Sequence, residues 1–409
     1  MSQLQPDVSA QVTSTELRTQ RRLASVPLRI LAACITSVVV AVHYTNYGPL
    51  IPVLTKDLHI NGGQAGLMST FLFLGLAIMY IPAGALADHY GPRPVLIGFS
   101  IVLVLGGVLL PIIPNLSWIL FWRLIVGCGA GGTFVAGAGV AASLGKYAPV
   151  GQGLYGGSVQ IGSALGLLLT PYLATWFNWQ GSFLCWGLLG IASIVIWILV
   201  DDGFEQHTRS KIDVRAGLRS KAVWTLGLSH MGTFGLGNAI AAWIAIYLVH
   251  QYGLTLGLAA TLGSIALLSG AFFRPLGGIL IARRTIGAIP LLRIGTILGA
   301  AGVAFLALPL HFAPIAALGM AMIAFGSTAP YTSVFNEAAR LKGVGKGIAQ
   351  GLVSMISTPP VLLGPPLIGF LFERSGSITL AFSSILLFAA IAVTASFLAG
   401  PAVRNETLG

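Results

Sequence analysis

The chain has 409 residues, 56% of them hydrophobic and only 8% charged, with a mean hydropathy of +0.88. Ordinary soluble domains carry about 25% charged residues, so this composition excludes one. The formal net charge of +11 fits a nucleic-acid partner or a membrane surface equally well until the basic residues are placed along the chain.

The first 27 residues are rich in Ser, Gln and Thr and lack the short apolar core of a cleavable signal, which predicts a disordered cytoplasmic tail. Twelve apolar stretches follow, at about 29–54, 64–87, 94–114, 117–143, 151–176, 181–200, 223–249, 256–282, 289–309, 313–336, 347–371 and 378–399. A spanning helix needs about 20 mostly apolar residues. The period-two alternation of a membrane barrel is missing, so each stretch reads as a transmembrane helix. The longest polar stretch, 201–222, mixes Asp201, Asp202, Glu205 and Asp213 with basic residues and reads as a cytoplasmic linker. The expected fold is an all-α integral membrane protein of two six-helix bundles, residues 28–200 and 223–400, with a cytoplasmic tail at 401–409.

The two bundles echo one another at an offset of 194 residues. Tyr80-Ile81-Pro82-Ala83-Gly84 is answered by Arg274-Pro275-Leu276-Gly277-Gly278, Gly151 by Gly345, Gly153 by Gly347, Gly157 by Gly351, Ser163 by Ser357 and Pro171 by Pro365. Parallel repeats of this kind are a known transporter plan, with the substrate held near midplane between the halves. Of the 22 basic residues, eighteen fall in even-numbered connections and termini, two (Lys56 and Arg374) in the opposite connections, and two within helices. The positive-inside rule then places both termini in the cytoplasm, and lipid attraction accounts for the net charge with no nucleic-acid partner. The expected location is the plasma membrane, which is the inner membrane where the cell is bacterial.

The second and third helices join at Gly84-Ala85-Leu86-Ala87-Asp88-His89-Tyr90-Gly91-Pro92-Arg93, and the fourth carries Arg123-Leu124-Ile125-Val126-Gly127-Cys128-Gly129. The first run resembles the signature loop of the major facilitator superfamily, and the second is similar to that superfamily's arginine-glycine pattern. The resemblance covers residues 28–400 and implies a secondary transporter. It assigns Gly84, Asp88, Gly91 and Arg93 a conformational role, with Asp88 accepting hydrogen bonds from the N-terminus of a helix in the other half, where the partial positive charge favours an anion. Ala282 stands opposite Asp88 in the repeat, so such a latch exists on one side only.

No acidic residue falls near the middle of a span, whereas Arg123 and Arg274 both lie within helices. An ionised group at the bilayer centre costs about 2.5–3.5 kcal/mol on insertion scales and needs a wet cavity or a partner. Arg274 therefore reads as the receptor for an anionic substrate, with snorkelling to the interface or capping carbonyls of a helix broken at Pro275 as the alternative. Arg123 reads first as a packing or coupling residue. Helix one offers His43, Tyr44, Asn46 and Tyr47 near its midpoint, with His43, Asn46 and Tyr47 on one face, and Tyr80, Gln160, Asn238, Tyr331 and Ser357 complete the candidate substrate set. His43, His230 and Arg123 are the coupling candidates, since imidazole titrates near neutral pH. Cys34, Cys128 and Cys185 have no metal-ligand or redox spacing, so neither metal nor cofactor is expected.

These residues point to alternating-access transport of a small anion by a monomer, with proton coupling open. An organic carboxylate is favoured because a lone helix-eight arginine among aromatic residues is similar to monocarboxylate carriers. Nitrate and nitrite porters are the alternative: the sequence around both glycine motifs resembles theirs, though they carry a second arginine where Tyr80 stands. Multidrug efflux is a third reading and lacks the embedded acid it would use. An enzyme is not expected, since phosphate loop, metal cluster and paired carboxylates are all missing.

Overall fold

The structure, a computed structural model, describes residues 8–60, 62–200, 214–309 and 311–408, with side chains from Pro27 onwards apart from scattered positions. Among the described residues every regular element is a helix. The spanning helices are α1 (Val8–Thr45), α2 (Gly62–Tyr90), α3 (Pro92–Leu109) and α4 (Leu116–Ala142). A helical stretch Ala148–Leu199 holds α5 (148–177) and α6 (179–199), divided at Asn178, where φ is 55° and ψ −175°. There the Asn178 side-chain oxygen accepts the Gly181 N–H at 2.9 Å, and its carbonyl accepts the Ser182 hydroxyl.

The second half repeats the order. A π turn, Met231–Gly235, joins Lys221–His230 to Leu236–Tyr252, and the three form α7. Then come α8 (Leu256–Ala282), α9 (Ala288–Ala307), α10 (Ala313–Thr328 and Tyr331–Ala338), α11 (Lys346–Ile356 and Pro359–Ser375) and α12 (Ile378–Ser383 and Leu386–Leu408). The interruptions in α10 and α11 fall at Pro330 and at Pro359, which lack the N–H that a continuous helix would use. Among the described residues ten helices are long and apolar enough to cross a membrane. One, Gly145–Leu199, is 55 residues long, about 80 Å at 1.5 Å per residue, and so makes two crossings. The π turn divides α7 too finely for it to register as a single long helix. Twelve spans result.

Both ends of the chain depart from the expected tails. The backbone is already helical from Val8, continuous with α1, and α12 runs to Leu408. Glu406 explains the second extension. Its carboxylate accepts the Ser220 hydroxyl and, at 3.1 Å, the Ala222 N–H, capping the start of α7 where the helix dipole favours an anion. Of the expected linker, 201–213 lies outside the described residues, and Val214–Arg219 forms a short helix.

Pseudo-symmetry shows in the arginines as well. Arg93 at the start of α3 donates to the carbonyls of Trp197 and Ile198 at the end of α6, and Arg293 in α9 donates to those of Ser396 and Phe397 in α12. Gln152 and Gln350 repeat the pattern, each donating to a carbonyl of the preceding helix, Ala138 and Phe335. The halves meet chiefly along α2 against α11 and α5 against α8. Glycines permit that approach: a Cβ on Gly84 would overlap the Gly347 carbonyl, one on Gly347 the Gly84 carbonyl, and one on Gly278 the Pro149 carbonyl.

Candidate functional site

Arg274 sits in α8 immediately before Pro275, whose missing N–H releases the carbonyl of Ala271 one turn back. Gly157 lies against that carbonyl and the proline ring, and the Thr332 hydroxyl donates to the Arg274 carbonyl at 3.2 Å. The backbone is thus held from both α5 and α10. The side chain is 4% exposed, so it does not snorkel to an interface. Nη1 donates to the Gly156 carbonyl at 2.7 Å, and the guanidinium carbon lies 4.4 Å from the centre of the Tyr331 ring. Nε has no partner. Carbonyl and ring offset part of the cost of burying the cation. Among the described residues no carboxylate reaches it.

Tyr44 and Tyr331 lie within electrostatic range of each other, of Arg274 and of two further tyrosines, Tyr80 and Tyr155, the four coming from four helices. Tyr155 donates to the Phe134 carbonyl at 2.8 Å, while the buried Tyr331 hydroxyl has no partner. His230 stacks on Phe234 with ring centres 5.8 Å apart, stands 6.0 Å from Tyr331, and shares a hydrogen bond between Nδ1 and the Thr233 hydroxyl. A cavity of about 40 Å³ opens beside Arg274, lined by Gln160, Thr233, Asn238, Ser327 and Thr328 with apolar Ile240, Leu267 and Met320. At roughly 10–15 Å³ per water that is room for about three waters. Gln160 donates to the Leu267 carbonyl at 3.3 Å and Asn238 to that of Phe234 at 2.8 Å, which fixes both amides.

The structure therefore brings Arg274, Tyr331, Gln160, Asn238 and His230 together, while Tyr80 packs on Phe134 within electrostatic range of Tyr331. It does not bring the helix-one set. His43 is turned into the first half, against Gly107 of α3 and the Trp186 carbonyl of α6, with Nε2 unpartnered. Asn46 accepts from Arg123 Nη1 at 3.0 Å, Tyr47 lies under the same guanidinium at 5.3 Å, and Arg123 Nε donates to the Met68 carbonyl at 3.1 Å. This is a separate polar tie between α1, α2 and α4. Ser357 is also apart, its hydroxyl given to the Ser354 carbonyl at 2.7 Å. Of the helix-one group only Tyr44 reaches the centre, and Tyr155, Thr233 and Thr332 were not anticipated. On the helical wheel Tyr44 stands about 100° from His43 and about 160° from Asn46, so it can reach the centre while those two are turned away.

At the end of the bundle carrying the chain termini, Asp88 accepts the Gly347 N–H at 2.8 Å and the Ile348 N–H at 2.9 Å. These are the second and third amides of α11, in the other half. Gly345, the residue before that helix, has no space for a Cβ against the carboxylate, and Gly91 holds φ 85° at the turn into α3.

The sequence profile of the Major Facilitator Superfamily matches residues 33–359. The chain belongs to the major facilitator superfamily. It is 26% identical over 353 residues to a nitrite extrusion protein of Bacillus subtilis, covering 82% of this chain and 85% of that one. It is 22% identical over 379 residues to a probable sulfoacetate transporter, SauU, of Cupriavidus necator, covering 85% and 88%. The fold is shared with the crystal structure of the human organic anion transporter MFSD10, at TM-score 0.74, 15% identity and 91% and 99% coverage. It is shared also with that of FucP in the outward conformation, at TM-score 0.70, 17% identity and 92% and 99% coverage. As a superfamily member the chain is a multi-pass membrane transporter and not an enzyme.

Proposed function

We propose that this superfamily member moves a small anion across the membrane by alternating access, with Arg274 as the receiving cation. The observation that carries the reading is the buried guanidinium beside a cavity, with an unpartnered Nε and no carboxylate against it among the described residues. An uncompensated cation in a low-dielectric site attracts an anion strongly. A short organic carboxylate suits a single guanidinium edge flanked by tyrosines. Nitrate or nitrite is the second reading. It is favoured by the small cavity and by relatives named as a nitrite extrusion protein and a probable nitrate transporter, NarT, of Staphylococcus epidermidis.

Both termini face the cytoplasm in this reading, because the basic connections lie at their end of the bundle. The Asp88 contacts and the interlocked glycines then hold the cytoplasmic side shut. One chain supplies both halves of the site, which suits a monomer. If protons are coupled, His230 is the carrier of choice, since it stands with Tyr331 and Arg274 while His43 is turned away.

The test is uptake into proteoliposomes of labelled acetate, lactate, nitrate and nitrite, comparing wild type with Arg274→Ala and Arg274→Lys. Loss of uptake in both variants supports the reading, and normal uptake in both refutes it. An imposed pH gradient with His230→Ala tests the coupling; unchanged gradient dependence removes His230 from it.

A further inference from the structure

One glycine shapes the face that Arg274 presents. The Gly156 carbonyl takes Nη1 at 2.7 Å, and because Gly156 has no side chain the Tyr331 ring occupies the space a Cβ would need. The guanidinium carbon stands over that ring, 4.4 Å from its centre. The guanidinium is a rigid plane with five N–H groups. With Nη1 committed to Gly156 and one face covered by Tyr331, the remaining edge is the one formed by Nε and Nη2. Nε has no partner there, and neither has the hydroxyl of Tyr331 itself.

We infer that Arg274 and Tyr331 form a slot for a planar monoanion with two oxygens on one edge, and that Tyr331 is the specificity-determining residue. The inference rests on the anion reading above and narrows it. Two parallel N–H donors on the Nε–Nη2 edge match the two oxygens of a carboxylate, nitrate or nitrite lying in the guanidinium plane. A ligand in that plane continues along the face of the Tyr331 ring. A tetrahedral anion held by two oxygens puts its remaining substituents above and below the plane, where the ring blocks one side. Charge selects as well. Arg274 is the one Lys or Arg lining the cavity among the described residues, so a dianion would leave one charge without a cation in a site of about 40 Å³.

The experiment uses the full-length protein in proteoliposomes, with competition of labelled nitrate or acetate uptake by unlabelled anions in matched pairs. Acetate against methanesulfonate, and nitrate against perchlorate, hold charge at −1 and change a planar anion for a tetrahedral one. Acetate against malonate changes the charge. Wild type is expected to prefer the planar monoanion at least about tenfold in each pair. Tyr331→Phe keeps the ring and is expected to keep that preference. Tyr331→Leu, reconstituted to the same level, is expected to bring the geometric pairs to within about twofold while retaining the preference for acetate over malonate. Equal competition within the geometric pairs in wild type, or full discrimination surviving in Tyr331→Leu, overturns the slot and leaves anion transport standing. If wild type takes up no anion of the panel, the anion reading itself fails.

Discussion

Asp88 of the first half and Gly347 of the second are joined by a hydrogen bond of 2.8 Å, with a second from Ile348 to the other carboxylate oxygen. Repeat symmetry would place a matching bond between residue 282 and the start of α5, but residue 282 is Ala. The terminal end therefore has a charged cap at α2–α11 that α5–α8 does not repeat.

Asp88→Asn keeps the size and removes the charge, weakening two charge-assisted bonds and setting an amide group against amide donors. A loss of about 1–3 kcal/mol would shift the conformational equilibrium roughly 5- to 150-fold towards opening at the terminal end. Spin labels at Tyr90→Cys and Lys342→Cys, both exposed positions, should gain a longer distance component in the variant. An unchanged distribution argues against the latch.

Arg274→Lys retains the positive charge but not the planar fork, and should lower anion affinity about tenfold or more. Arg274→Ala should lower it further, since hydrogen bonds to charged groups are worth about 1.5–3 kcal/mol each. Substrate-dependent stabilisation in a thermal-shift series reads this directly. Equal stabilisation of all three proteins by the same anion would contradict it.

Glycines at the interface should differ from glycines facing open space. A Cβ on Gly153 would stand 2.6 Å from the Arg274 carbonyl, whereas nothing lies within 4 Å of one on Gly98. Gly153→Ala is expected to cost about 1–3 kcal/mol of stability or to pry α5 from α8. Gly98→Ala should be neutral or stabilising, as alanine favours a helix by about 1 kcal/mol over glycine. Melting temperatures in detergent separate the two.

Arg123 is expected to behave as a structural residue. Its removal leaves the Asn46 side-chain oxygen and the Met68 carbonyl without their donor, at about 1–3 kcal/mol each. Arg123→Ala should therefore lower the melting temperature and the yield of folded protein, while the folded fraction keeps its KM. A raised KM at unchanged stability would give Arg123 a substrate role instead.

The sequence by itself determined the membrane class, the twelve spans and the duplication, because length and hydropathy of a run decide whether it can cross a bilayer whatever it packs against. It also located Arg274, since a cation in an apolar helix must be answered by something, and Asp88, through a motif at a helix junction. Which face of each helix looks into the central site was decided only by tertiary packing. At about 100° per residue the positions 43, 44, 46 and 47 of α1 spread over an arc of about 160°, and the part of that arc that meets the centre was set by packing. Packing sent Tyr44 to the centre and tied Asn46 and Tyr47 to Arg123. The pairing of Gly156 with Tyr331 lay equally out of reach, because it depends on how closely α5 and α10 approach across the two halves. A backbone carbonyl and a missing Cβ leave no trace in residue chemistry until two helices touch.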